Sequence, residues 1–272
     1  MKVGKDLINE IDGSVPATGE VLAWWLGQHS FIIKIKDRII YIDPYLSDKD
    51  KRLISPFIKP EELTNAHIIL GTHDHSDHID RPAWPAIAKA SPSAKFAIPE
   101  AVKKNVIEAT GVSADRVIGM NDPETKEICS VKISAVASAH EFLAPDPKTG
   151  FYPCLGYVIE YGEVTVYHSG DCCIYDGLAS KLKKWKIDLA FLPINGRDAL
   201  RYTTGCIGNM TFQEAADLAG PLNFGLTIPS HYDMFAGNRE NPKSFTDYMA
   251  AKYPTCKTMI PRYTTVFSVK AR

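Results

Sequence analysis

Residues 72 to 78, "THDHSDH", hold three of the chain's eight histidines and two aspartates. Imidazoles and carboxylates are ligands for divalent cations, and their spacing matters as much as their type. His73 and His75 alternate in backbone that is just leaving a strand. A period of two sends both rings to one side, where they can share a cation. Asp77 and His78 come as the chain turns away, so they leave in another direction and suit a second cation beside the first. A lone histidine is more often a surface or core residue. Here the H-x-H-x-D-H spacing after the apolar run "AHIIL" favours a metal-binding loop.

One loop cannot close a coordination sphere, so distant segments must contribute. His140 in "SAHE", Asp171 in "HSGD" and His231 in "IPSHYD" each end an apolar run, at the strand ends where loops gather and sites are built. Two adjacent cations lower the pKa of water, which makes hydrolysis the natural reaction class. Asp77 is the carboxylate suited to orienting that water and is the candidate catalytic residue. His168 is read either as a supporting partner near Asp171 or as a core histidine. Asn195 and Arg197 open a loop of roughly 17 residues, long enough to suggest function, and an arginine fork there suits a phosphate or carboxylate. Tyr232 and the segment "FLAPDPKTGFYP" are candidate pocket walls. Thr211 and Glu214 read as a helix-starting capping box. Cys172 and Cys173 follow Asp171, but adjacent cysteines lack the usual zinc-site spacing.

The elements that must carry these residues are legible in the pattern. "VLAWWLG", "SFIIKIK" and "RIIYIDPY" read as an antiparallel meander. "IDRPAWPAIAKA" reads as a helix with Asp80 as its N-cap and Pro82 in its first turn, which leaves the histidines in a strand-to-helix loop. A strand "AKFAIPE", a helix stopped by Gly111 and one long strand "EICSVKISAVASA" follow. The second half repeats the change from β-rich sequence to strand-helix alternation. It has a hairpin across Tyr161 and Gly162, a buried strand "IDLAFLPI", a helix over 241–253 and a final strand "YTTVFSVKA". Two mixed sheets packed face to face with helices outside, in one domain over 1–272, is the economical packing.

Composition bounds the partners. Hydrophobic residues are 45 %, charged residues 23 % and the formal charge is −1, so neither nucleic acid nor an anionic membrane is an expected partner. Neither a signal-peptide core nor a run of roughly 18 apolar residues is seen, and scattered cysteines suit reduced thiols, so the expected location is cytoplasmic. A small-molecule substrate is the expected partner, with self-association left open.

H-x-H-x-D-H followed in order by one His, one Asp and one His resembles the metallo-β-lactamase superfamily over nearly the whole chain. Within it, "AWWLG", "THDHSDHID", "YHSGD", "KIDLA", "NMT" and "IPSHYD" resemble the L-ascorbate-6-phosphate lactonase group. The resemblance implies an αββα sandwich with the site along one edge of the sheets. It implies that His73, His75 and His140 bind a first metal, that Asp77, His78 and His231 bind a second, and that Asp171 bridges them. Asp43 in "YIDPY" matches an acidic position that supports the ligands. The implied cofactors are two divalent ions, zinc or manganese, with iron also allowed by the ligand set. The expected activity is metal-dependent hydrolysis of a small anionic lactone or ester of the sugar-phosphate type. A phosphodiesterase acting on a phospholipid head group or nucleic acid is the first alternative. A non-hydrolytic binding protein is the second.

Overall fold

The structure, a computed structural model, describes residues 1–49 and 51–272. The chain opens with helix α1 (Gly4–Gly13), then the meander β1 (Glu20–Trp25), β2 (Phe31–Ile35) and β3 (Arg38–Ile42), whose pairing is antiparallel as expected. Strand β4 (Ile68–Leu70) joins β3 in parallel and runs into the histidine loop. Next come α2 (Trp84–Ala90), β5 (Lys95–Pro99), α3 (Glu100–Thr110) and β6 (Val117–Met120). The second half holds β7 (Thr125–Ile128), β8 (Val131–Ala137), β9 (Leu155–Tyr161), β10 (Val164–His168), α4 (Leu178–Leu182) and β11 (Leu189–Pro193). It ends with α5 (Ala199–Thr203), α6 (Phe212–Leu222), β12 (Leu226–Ser230), α7 (Pro242–Lys252) and β13 (Phe267–Lys270).

These strands form two sheets, ordered β13-β1-β2-β3-β4-β5-β6 and β12-β11-β10-β9-β8-β7. Strand alternation explains why the sheets stack. Phe31, Ile33 and Ile35 of β2 face the core shared with Ile133, Ile159 and Val166 of the other sheet, whereas Ile32 faces outward. On the outer face of the first sheet, Ile32, Tyr41 and Ile69 pack with Leu7 and Ile11 of α1, Trp84 of α2 and Val106 of α3. The other outer layer comprises α4, α6 and α7, whose Leu182, Ala216, Phe245 and Met249 join the inter-sheet core. The result is the expected four-layer αββα sandwich. No helix of the described residues is long and apolar enough to cross a membrane.

Four local expectations are corrected. Asp80 does not cap α2, which starts at Trp84; its carboxylate instead accepts hydrogen bonds from the Leu46 and Ser47 amides, tying down the loop after β3. The run 127–139 is two strands, not one. Cys129 and Ser130 both adopt positive φ, 50° and 66°, and turn β7 back onto β8, with Ile128 opposite Val131. Without glycine or asparagine at the turn, the run has no local break signal. The final strand is only Phe267–Lys270, set beside β1. Helix α1 went unread, although Leu7, Ile8 and Ile11 share its buried face; the buried Lys34 ammonium of β2 holds its last carbonyls, bonding to Ile11 O at 2.7 Å and Asp12 O at 2.9 Å.

Gly170, between β10 and Asp171, shows how tightly the site edge is built. Its φ is +59°, and a Cβ there would lie 2.6 Å from the Leu155 carbonyl oxygen and 2.9 Å from Thr72 Cβ. Gly170→Ala should therefore lower stability by about 2 kcal/mol or more, combining left-handed strain with a backbone clash. Urea unfolding measures this, and an unchanged midpoint would contradict the packing described here.

Candidate metal centre

The seven candidate ligands lie far apart in sequence, yet the fold delivers all of them to one end of the sandwich. His73, His75, Asp77 and His78 occupy the loop after β4, His140 lies three residues past β8, Asp171 three past β10, and His231 immediately past β12. One donor atom from each of His73, His75 and His140 lies within 4.8 Å of the others. The same holds for His73, His78 and Asp171, and for Asp77, His78 and His231. Asp171 reaches across these groups. Its Oδ2 is 3.8 Å from His140 Nε2 and 3.1 Å from His231 Nε2, and its Oδ1 is 3.3 Å from His78 Nε2. His75 is the exposed member and opens the cluster to solvent.

Several of these atoms have no protein partner. His78 Nε2, His140 Nδ1 and Asp171 Oδ1 are buried without a hydrogen bond among the described residues. Unpaired buried polar atoms are costly, and two of these, His78 Nε2 and Asp171 Oδ1, lie 3.3 Å apart within the donor cluster, which indicates that something else satisfies them. Five imidazoles and two carboxylates form a donor set that fits a pair of divalent cations. The electrostatics agree. Burial, reinforced by neighbouring His78, holds His73 well below the usual histidine range, and burial lowers His140 to about 4. Neutral imidazole is the form that donates to a cation. Burial also opposes charge on His78, but Asp171, Asp77 and Asp43 together raise it well above its ordinary value. Asp171 is lowered well below the carboxylate range because His231 and His78 outweigh its burial.

Asp43 sits behind this cluster, not in it. Its Oδ2 accepts from His78 Nδ1 at 2.6 Å and Thr72 Oγ1 at 2.7 Å, and its Oδ1 accepts from the Thr72 amide at 2.8 Å. With Nδ1 donating to Asp43, the His78 Nε2 lone pair faces the cluster. His168 is fully buried. Its Nε2 donates to the His29 carbonyl at 2.9 Å and its Nδ1 accepts from the Gly170 amide at 3.2 Å, beside Asp171.

Two contributors escaped the sequence reading. Gln28 donates through Nε2 to Asp77 Oδ2 at 2.8 Å, and its carbonyl accepts from the His231 amide. His29 spans the ends of two strands, pairing its Nδ1 with Ser230 Oγ at 2.8 Å and its Nε2 with the Gly170 carbonyl at 3.1 Å. The available signal was a polar Gln-His pair inside the apolar stretch "WWLGQHSFII". Backbone strain gathers here as well: Gln28, Asp43, Glu141 and His231 all have φ between 47° and 67°.

The candidate substrate residues are each held by partners within the fold. Asn195 is fully buried, donating to Asn238 and accepting from Asn209, so it pins the base of the 195–211 loop. The Arg197 guanidinium is already forked onto Glu214, at 2.6 and 2.7 Å. Tyr232 is buried against Trp25, with ring centroids 5.4 Å apart. Thr211 and Glu214 do form the capping box of α6.

Known proteins share this sequence and architecture. Residues 38–232 match the family described as the beta-lactamase superfamily domain. The chain is 32 % identical over 229 residues to a UPF0173 metal-dependent hydrolase of Thermococcus onnurineus, covering 84 % of this chain and 92 % of that protein. It is 28 % identical over 235 residues to another UPF0173 metal-dependent hydrolase, of Methanosarcina mazei, covering 85 % and 91 %. Among solved structures it resembles Igni18, a metallo hydrolase from Ignicoccus hospitalis, with TM-score 0.71, 20 % identity and coverage of 93 % of this chain and 100 % of that one. The isothiocyanate hydrolase from Delia radicum gut bacteria gives TM-score 0.72 at 15 % identity, covering 92 % and 100 %. At such identities, these two structural likenesses establish the fold alone.

Asp43→Asn tests the supporting arrangement. The Thr72 amide requires an oxygen at the Oδ1 position, so the new NH₂ would face His78 Nδ1 and favour the tautomer whose Nε2 carries the proton. Divalent-metal affinity should fall about 10- to 100-fold with little loss of folding. Chelator competition measures the affinity, and an unchanged value would remove Asp43 from the support of His78.

Proposed function

Because the chain belongs to the beta-lactamase superfamily, among the UPF0173 metal-dependent hydrolases, we propose that its substrate is a carboxylic ester or lactone. His73, His75 and His140 would hold one divalent ion and Asp77, His78 and His231 a second, with Asp171 lying between them. The observation that carries this reading is the convergence of these donors, with the buried His78 Nε2 and Asp171 Oδ1 unpartnered among them. Zinc or manganese suits the mixture of imidazole and carboxylate.

Bound metal ions would supply Lewis-acid polarisation and lower the pKa of water. The remaining chemistry falls to the chain. Gln28 occupies Oδ2 of Asp77 with a hydrogen bond, which fixes the carboxylate and leaves its other oxygen to accept from a water. Asp77 orients that water and takes its proton as the water oxygen adds to the carbonyl carbon. The same proton then passes to the departing alkoxide when the ester C–O bond breaks, so Asp77 returns to its charged form. A carbonyl substrate is favoured over a phosphodiester by the loop wall, where the Arg197 fork expected to grip an anion is engaged by Glu214.

Exhaustive chelation should abolish turnover of a panel of lactones, esters and phosphodiesters, and added zinc or manganese should restore it. Activity that persists after verified metal removal would refute the reading. Asp77→Asn should lower kcat by roughly 100-fold or more while leaving the metal held by the three histidines in place. Assaying metal content beside kcat separates the two effects, and near-wild-type turnover would exclude Asp77 from proton transfer.

A further inference from the structure

A cavity of about 290 Å³ lies between Glu141, the residue after His140, and the loop that carries α5. Its lining includes Tyr202, Cys206 and Ile207, with Ala199 and the stem of Arg197. The same segments expose large apolar side chains to an unusual degree: Phe142 is 73 % exposed, Leu200 76 % and Tyr202 66 %. Exposure of this kind on adjoining segments marks a binding surface more often than chance. The cavity also adjoins the metal-ligand cluster. Glu141 directly follows the candidate ligand His140, and Cys173, two residues past Asp171, has its Sγ 3.5 Å from the carbonyl of Gly208 in the lining.

Charge narrows what could bind here. Arg197 is paired with Glu214, and Arg201 is held by the Asn195 and Arg239 carbonyls and by Asp198. Asp198 is engaged by Arg201 in turn, which leaves the Glu141 carboxylate as the remaining charged group on this lining. A neighbouring hollow of about 480 Å³ shares Cys206 and carries the cation Lys51, so an anionic group would be drawn there instead.

We infer that the cavity beside Glu141, walled by Tyr202, Cys206 and Ile207, receives the uncharged apolar acyl group of the substrate. This rests on the ester reading above and deepens it. The volume suits a small group, and Glu141 joins this wall directly to the candidate ligand His140. Discrimination comes from burial of hydrocarbon against an apolar wall and from repulsion of negative charge by the Glu141 carboxylate.

Holoenzyme should be assayed with p-nitrophenyl acetate, butanoate, hexanoate and hemisuccinate. From acetyl to hexanoyl, kcat/KM should rise by at least about tenfold, below the ceiling of roughly 200-fold that about fourfold per fully buried methylene sets for four methylenes. The hemisuccinate should be the poorest. Ile207→Asp and Tyr202→Ala should flatten the chain-length series without changing metal content. A flat wild-type series would overturn the inference, as would preference for the hemisuccinate that Lys51→Ala abolishes. If no ester is cleaved, the ester reading fails separately. Calorimetric binding of uncharged 4-phenylbutanamide to the holoprotein then decides the cavity: at least fivefold weakening in Ile207→Asp supports it, and no binding or an unchanged Kd overturns it.

Discussion

Three carboxylates, Asp43, Asp77 and Asp171, stand within a few ångströms of His78, and both Asp77 and Asp171 also face His231. Concentrated charge with little water is expensive, and the neighbouring structure is arranged around that cost. Attraction to the carboxylates raises the pKa of His78 and His231, while burial lowers His73, His75 and His140. The cluster is thus divided into imidazoles that attract protons and imidazoles that resist them. A pair of divalent cations would relieve both conditions, neutralising carboxylates and satisfying lone pairs that no protein donor reaches.

Holding such a cluster requires rigid strand ends. β4, β10 and β12 finish near one another, and short cross-links keep their last residues in register. His29 bonds to both Gly170 and Ser230, immediately before Asp171 and His231, while Asp43 fixes Thr72 and His78 on either side of the histidine loop. The Gln28 amide is held in turn by Asp233 Oδ1 at 2.9 Å, whose other oxygen accepts from Tyr263 at 2.8 Å. Positive φ at Gln28, Asp43, Glu141 and His231 is the local strain that this bonding sustains.

The wall facing the cluster follows a different logic. Arg197 and Arg201 use their guanidiniums to brace the 195–211 loop, through Glu214 in one case and backbone carbonyls in the other. Arginines used this way define the loop's shape and leave its apolar side chains as the contact surface.

The sequence alone singled out the candidate donor residues and determined the architecture. H-x-H-x-D-H and three strand-end ligands are local patterns, and alternation in β1 to β3 is set by the two faces each strand must satisfy. Local signals failed where the decisive contact was remote or the turn was atypical. The hairpin at Cys129 and Ser130 lacks the residues that usually favour positive φ, and α1 rests on a short apolar face anchored by Lys34 from another strand. The roles of Arg197 and Gln28 were beyond reach for the same reason. Arg197 is engaged by a carboxylate 17 residues away, and Gln28 is set by one 205 residues away. Spacing determines which side chains can act together, but whether a side chain is free to act depends on the partners that tertiary folding brings within hydrogen-bonding distance.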